Sequence, residues 1–330
     1  MAGSRFHHRR LAVGLALGAP LLAPLAAFGQ AERVRRIGIL VPTSAKGPNN
    51  MDVFFQGLRE LGYVQGRNLH VETRFGEGRD DQLPALAAEL LKQEVELIVA
   101  AGPAATRAAR AATSTVPIVM GTVDPVEQGL IQSLGRPGGT LTGWCLLSTD
   151  YAQKQLSLLK QAIPAAARVG VVATPNMVKH ANRAGELGDG ARALGVSLAF
   201  VEVAGEEALE PAFATLRRER VDAFILVADP SLDRLREPIA ALAARHKLPA
   251  MYTFRFYVEA GGLMSYGPSL REMIALWPAY VDRILKGARP ADLPVQTPSK
   301  YELVLNQRAA REIGFIFPGP LLVAAEAVIS

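Results

Sequence analysis

The sequence predicts an α/β protein built from two similar, doubly wound parallel-sheet lobes joined by a multi-strand hinge. Three observations carry that expectation. Short apolar runs alternate with segments of helical spacing along the chain, the pattern of parallel strands linked by crossover helices. The runs of the second half repeat those of the first at a fixed offset: Gly38 of RRIGILVP and Gly170 of RVGVVATP lie 132 residues apart, and so do Pro117 of VPIVMGT and Pro249 of LPAMYTF. At 330 residues, 49% apolar and 20% charged, the chain has the size and composition of two globular cores.

Taken in order, RRIGILVP (35–42) reads as a strand buried on both faces, followed by a helix in NNMDVFFQGLRELGY (49–63) that runs from Asn to Gly62. LHVETRF (69–75), VELIVAAG (95–102) and VPIVMGT (116–122) read as strands, with helices at 81–93 and 103–113 between them. TLTGWCLLSTDYAQKQLSLLKQAIP (140–164) reads as a strand and then a helix that carries the chain across to the second lobe. There RVGVVATP (168–175), VDAFILVADP (221–230), LPAMYTF (248–254) and GGLMSYGPS (261–269) supply strands, and LREMIALWPAYVDRILKG (270–287) reads as one long amphipathic helix. A last strand falls near 301–306. The expected division is residues 1–31 as a leader and 32–145 as lobe one, to which 270–300 returns. Residues 146–269 form lobe two, and the C-terminal part, 270–330, crosses the hinge. More than one crossing allows the lobes to swing together over whatever lies between them.

The N-terminus has three parts: basic MAGSRFHHRR, an apolar stretch broken by Pro20 and Pro24, and small residues in AAFGQA. That is the layout of a cleavable secretory signal, through the Sec route or, given Arg9-Arg10, the twin-arginine route. Cleavage falls after Gly29 or Ala31. Residues 1–29 hold three arginines and no acid, so their removal lowers the formal net charge from +5 to +2. That near-neutral balance argues against nucleic-acid binding, and LRRER (216–220) reads as a solvated helix end. A single cysteine, Cys145, excludes an internal disulfide and a thiolate metal cluster. The expected product is a periplasmic monomer.

In doubly wound sheets, ligands bind beyond the C-terminal strand ends, where helix N-termini expose unpaired N–H groups. Here those ends are rich in small and hydroxylated residues and poor in acid–base groups. No Gly-x-Ser-x-Gly elbow occurs, and His70, His180 and His246 lie outside the strand-end loops and lack metal-ligand spacing. Neither catalytic residues nor a metal or cofactor site is expected. Asp124 and Asp229, each before a proline, read as helix caps or ligand contacts. In GLIQSLGRPGG the glycine pair follows a helical run and precedes a strand, so Gly135 reads as a helix C-cap and 137–139 as a turn, not a phosphate cradle. The strongest local candidate is AGPAATRAA: Pro103 opens a helix, Ala104 and Ala105 let a ligand approach the backbone, and Thr106 offers a hydroxyl. A carboxylate would be held there by the helix end. Trp144, Tyr252, Phe254 and Tyr266 stand near the cleft and could stack on a ring, although core packing is the better reading of each taken singly.

RRIGILVP, FFQGLRELGYVQGRNL, VELIVAAGPAATRAA, PIVMGTVDPVEQGLIQSLGRPGGTLTG and AARHKLPAMY followed by EAGGLMSYGPS resemble the substrate-binding proteins of ABC transporters, in the group with tryptophan- and tyrosine-binding members. The likeness covers the chain beyond the leader. It implies a type I-like periplasmic-binding-protein fold that closes over a small carboxylate-bearing ligand, an amino acid or aromatic acid, and passes it to a permease in the inner membrane. It implies contacts from Thr43, Ser44, Gly102, Pro103, Ala104, Ala105, Thr106, Thr122 and Asp124 in lobe one and from Asn176, Asp229 and Tyr252 in lobe two. VADPSLDRL and YTFRFYVEAGG depart from the aromatic-amino-acid binders where an amino group and ring would be read, and Arg255 is a candidate partner for a second carboxylate. A sugar-responsive regulator would need an N-terminal helix-turn-helix where the leader stands, and an enzyme or ligand sensor on this fold is the remaining alternative.

Overall fold

The computed structural model describes residues 33–44, 50–178 and 181–330; the segment expected to be a leader lies outside the described residues. The first sheet is built from β1 (Arg35–Val41), α1 (Met51–Glu60), β2 (Leu69–Phe75), α2 (Leu83–Lys92), β3 (Leu97–Ala101), α3 (Gly102–Ala112), β4 (Ile118–Val123) and β5 (Leu141–Leu146). Its strand order is β2-β1-β3-β4-β5 and every pairing is parallel. The central strands are buried along nearly their whole length, whereas edge strand β2 is half-exposed, as its alternation of polar and apolar residues requires.

The second sheet follows with α4 (Ser148–Ala162), β6 (Arg168–Ala173), α5 (Pro175–Val178), α6 (Ala181–Ala193), β7 (Ser197–Glu202), α7 (Leu209–Arg218), β8 (Ala223–Leu226), α8 (Pro230–Asp233), α9 (Arg236–Arg245), β9 (Ala250–Tyr252), α10 (Arg255–Glu259) and β10 (Met264–Gly267). The chain then forms α11 (Leu270–Ile274) and α12 (Trp277–Leu285), which pack on α1 and on the first sheet. It ends with β11 (Glu302–Asn306), α13 (Gln307–Ile313), α14 (Gly319–Ala324) and β12 (Ala327–Ile329) in the second sheet, whose order is β12-β11-β10-β9-β8-β6-β7. β10 and β11 pair antiparallel, the one antiparallel step among the described strands. The polypeptide therefore passes between the sheets three times: before α4, after β10 and before β11.

The repeat seen in the sequence has a structural counterpart. β2-β1-β3-β4 and β7-β6-β8-β9 have the same order, and the matched glycines do the same work. A Cβ on Gly38 would stand 3.3 Å from Leu90 of α2, and one on Gly170 would stand 2.5 Å from Leu216 of α7, so each glycine lets the covering helix close onto its strand. One apolar cluster holds α2 and α3 against the first sheet and a second holds α4 and α6 against the second sheet, while a third includes side chains of α1, α12, α7 and α9 and joins Ile37 and Phe54 of the first lobe to Phe224 and Tyr252 of the second.

Two expected elements differ. The 270–287 helix is broken into α11 and α12 at Leu276, because Pro278 opens α12 and has no N–H to continue the preceding turns. No helix forms between β4 and β5: residues 125–139 run as turns, with Gly129 at φ +65°. Gly135 is therefore not a helix C-cap.

Candidate functional site

A cavity lies between the C-terminal edges of the two sheets and leaves the centre of a water-sized sphere about 100 Å³ in which to move, well above the room one water needs. Lobe one contributes Val41, Thr43 and Met51, the β3–α3 junction (Ala101, Gly102, Pro103), the end of β4 (Gly121, Thr122, Val123) and Trp144 and Leu146 of β5. Lobe two contributes Ala228, Asp229, Pro230, Asp233, Arg234 and Phe254, and the returning helices add Leu270, Ile274 and Trp277.

Two indoles form the lobe-one wall. Trp144 and Trp277 stack with centroids 5.7 Å apart and planes at 29°, and Phe54 meets Trp277 edge-on. Gly121 makes this possible, since a Cβ there would lie 2.5 Å from Cζ2 of Trp144 and 2.6 Å from Cζ2 of Trp277. Trp277 Nε1 donates to the Met120 carbonyl at 3.1 Å. The Trp144 indole N–H and the Thr122 hydroxyl are buried with no hydrogen-bond partner among the described residues.

Lobe two supplies the polar end. Asp229 caps α8, accepting from the Ser231 N–H at 2.8 Å and from the Thr174 hydroxyl at 3.0 Å. Burial pushes its carboxyl above the usual range against these bonds. Asp233 accepts from the Tyr257 hydroxyl at 3.0 Å. Burial pushes Asp233 up to about 8; the Tyr257 bond opposes the rise and the Asp229 charge adds to it. Across the cleft, Asp80 of lobe one is raised by burial and then by the Asp229 charge, while Arg107 pulls it down. Two glycines of lobe one meet lobe two beside this cluster. A Cβ on Gly102 would stand 2.7 Å from Pro230 Cγ, and one on Gly78 would stand 2.8 Å from Arg234 Nε.

Of the residues singled out in the sequence, Thr43, Gly102, Pro103, Thr122 and Asp229 line this cavity, as do Trp144 and Phe254. The others stand elsewhere. Ser44 is half-buried outside the lining, and Ala104 also lies outside it. Ala105 and Thr106 face the core, and the Thr106 hydroxyl, expected to meet a ligand, turns back onto the Gly102 carbonyl at 2.8 Å. Asp124 is buried beyond β4 at φ +43° and, with no helix after it, caps none. Tyr252 is fully buried and stacked on Tyr257, 4.9 Å away. Tyr266 stacks on Tyr301, and Arg255 is paired with Glu259 on its own helix. The Asn176 side chain lies outside the described residues.

The sequence reading missed Met51, Pro230, Asp233, Arg234, Ile274 and Trp277. Only Trp277 carried a usable signal: the Trp-Pro pair inside a helical pattern marks a helix start. Among the described residues no cluster of three or more His, Cys, Asp or Glu side chains could hold a metal ion, and no helix is long and apolar enough to cross a membrane.

Comparison with known proteins places this geometry. A family model described as ABC transporter substrate binding protein matches residues 36–329. A tyrosine-binding protein of Clostridioides difficile is 24% identical over 257 residues, covering 77% of this chain and 73% of that protein. A structure of an ABC domain in complex with L-Trp from Streptococcus pneumonia superposes with a TM-score of 0.78 at 25% identity, covering 89% of this chain and all of that one. A conserved domain protein from Vibrio cholerae superposes with a TM-score of 0.82 at 24% identity over 90% of this chain and all of its own.

Proposed function

Since the chain belongs to the ABC transporter substrate-binding protein family, whose members are binding proteins and not enzymes, we propose that it serves an importer, taking a small carboxylate-bearing ligand, an amino acid or aromatic acid, from the periplasm to an inner-membrane permease. The observation that carries the ligand class is the make-up of the cavity. A wall of two stacked indoles with Phe254 suits a planar ring, and the polar end, with Arg234 and the acceptor oxygens of Asp229, suits the head group of an amino acid or aromatic acid. Neither a sugar nor an apolar chain matches both ends. The relatives bound to or named for tryptophan and tyrosine support the same reading.

On this proposal the protein is exported by its cleavable leader and acts as a monomer. Residues 32–145 with the returning 270–300 form one jaw and 146–269 the other. Thr43, Gly102, Pro103, Thr122 and Asp229 contact the ligand together with Trp144, Trp277 and Arg234.

A thermal-shift screen of the leaderless protein, refolded to remove carried-over ligand, tests the reading with L-tryptophan, L-tyrosine, L-phenylalanine, aromatic acids, dicarboxylates and sugars. A ligand at 100 times its Kd stabilises by about 2.7 kcal/mol. Stabilisation by the aromatic amino acids or acids is expected; stabilisation by sugars alone would overturn it.

A further inference from the structure

Arg234 is unlike the other cations near the cleft. It follows α8 in lobe two, lines the cavity, and lies against the backbone of Gly78 in lobe one, where a Cβ would stand 2.8 Å from Nε and 3.0 Å from Cζ. Its Nε–H is buried with no hydrogen-bond partner among the described residues. The acids beside it are otherwise engaged: Asp233 accepts from Tyr257, and Asp229 accepts from Ser231 and Thr174. Its neighbour Arg236 is paired with Glu237, and Arg107, on the opposite lobe, donates to Gln128. A half-buried guanidinium without a counter-charge, at the edge of a mostly apolar cavity, is costly unless an anion joins it.

Gly78 is built to receive this side chain. Its φ of +77° lies in the left-handed region, and its N–H donates to the Pro42 carbonyl at 2.8 Å, which fixes the loop to the end of β1. That backbone conformation disfavours any residue with a Cβ, and a methyl group would occupy the place of the guanidinium. Arg234 therefore reaches the cavity and the opposite lobe at once.

We propose that Arg234 binds the carboxylate of the ligand and, by packing on Gly78, ties recognition of that carboxylate to closure of the lobes. This rests on the cleft ligand being a carboxylate, as in the reading above. The fork of N–H donors suits a carboxylate, and an anion that holds the guanidinium in place also holds the surface on which the Gly78 loop rests. A ligand with the same ring but no carboxylate would fill the indole wall and leave the lobes less firmly shut.

The test compares L-tryptophan with tryptamine, which lacks the carboxylate, in wild type, Arg234→Gln and Arg234→Lys, by calorimetry. Wild type is expected to prefer L-tryptophan by about 10- to 100-fold, the worth of a charged hydrogen-bonded pair. Arg234→Gln should reduce that preference to about threefold or less, with Arg234→Lys between the two. An unchanged preference in Arg234→Gln overturns the proposal. A second arm needs no aromatic ligand: sodium acetate is titrated against sodium chloride at equal ionic strength while the Gly78 amide is followed by NMR. A saturable acetate-specific shift in wild type that is lost in Arg234→Gln supports the proposal, and its absence in wild type overturns it. If acetate acts and L-tryptophan does not, Arg234 stands and the aromatic reading of the cavity fails.

Discussion

Gly102 and Pro230 meet across the cleft closely enough to leave no room for a side chain on the glycine: a Cβ on Gly102 would lie 2.7 Å from Pro230 Cγ and 3.1 Å from its Cδ. Gly102 also sits at φ +83°, so alanine there adds backbone strain of about 1 kcal/mol to an interlobe clash. Gly102→Ala is expected to fold, by far-UV circular dichroism, and to bind its ligand at least about tenfold more weakly. Adding Pro230→Ala removes the facing ring and should restore part of the loss. A double-mutant cycle with no coupling would show that this contact does not limit closure.

The indole wall makes its own prediction. Trp277 is buried, stacked on Trp144 and hydrogen-bonded to Met120, so Trp277→Ala should cost about 3–5 kcal/mol in urea unfolding. Trp144→Phe removes an indole N–H that has no partner and should cost less, under about 1.5 kcal/mol. The sequence contains only these two tryptophans. All tryptophan emission therefore comes from the cavity wall, and ligand titration should change it.

Stability should fall with pH through the Asp233 carboxyl. Its pKa is raised by burial from 3.8 to about 8 in the fold, so the folded chain keeps a proton that the unfolded chain releases. The stabilisation from that proton is complete below 3.8 and is lost as pH rises to about 8. Asp229 is shifted in the same direction by burial. Asp233→Asn preserves an acceptor for Tyr257 and removes the titration. Its Tm should pull ahead of wild type as pH rises through that window and hold a constant lead above it; parallel curves would exclude Asp233 as the source.

Cys145 is fully buried on β5. A thiol reagent should modify it no faster than the protein unfolds, and one equivalent should react at once in denaturant. Fast labelling of the folded protein would mean that β5 opens locally.

The fold was legible wherever one physical requirement governs a residue type. Continuous apolar runs mark strands covered on both faces, and the 132-residue offset survives because Gly38 and Gly170 admit equivalent leucines and Pro117 and Pro249 precede equivalent strands. The site was legible where it uses strands and the residues just beyond their ends: Thr43, the Gly102-Pro103 junction, Thr122, Trp144, Asp229 and Phe254. Thr106 misled because a hydroxyl one turn into a helix has a competing acceptor in the carbonyl four residues back. Met51, Ile274 and Trp277 escaped because an apolar residue lining a cavity has the same helical spacing as one in the core. Arg234 escaped because its significance is the lack of a partner, a property of the folded arrangement. The two Asp-Pro pairs look alike in sequence, yet only Asp229 caps a helix, since Gly129 breaks the run that follows Asp124.

Trp144 and Trp277 are separated by 133 positions, and five of the seven strands of the second sheet lie between them in the chain. The first sheet can assemble its five strands early, but its indole wall stays half-built until Trp277 has been delivered by a chain that has already supplied strands β6 to β10. Such distant pairings slow folding and expose apolar surface in the interval. A fragment ending at residue 146 should therefore be sticky and loosely packed, and the last step of folding should be the arrival of α12 on a sheet that has waited for it.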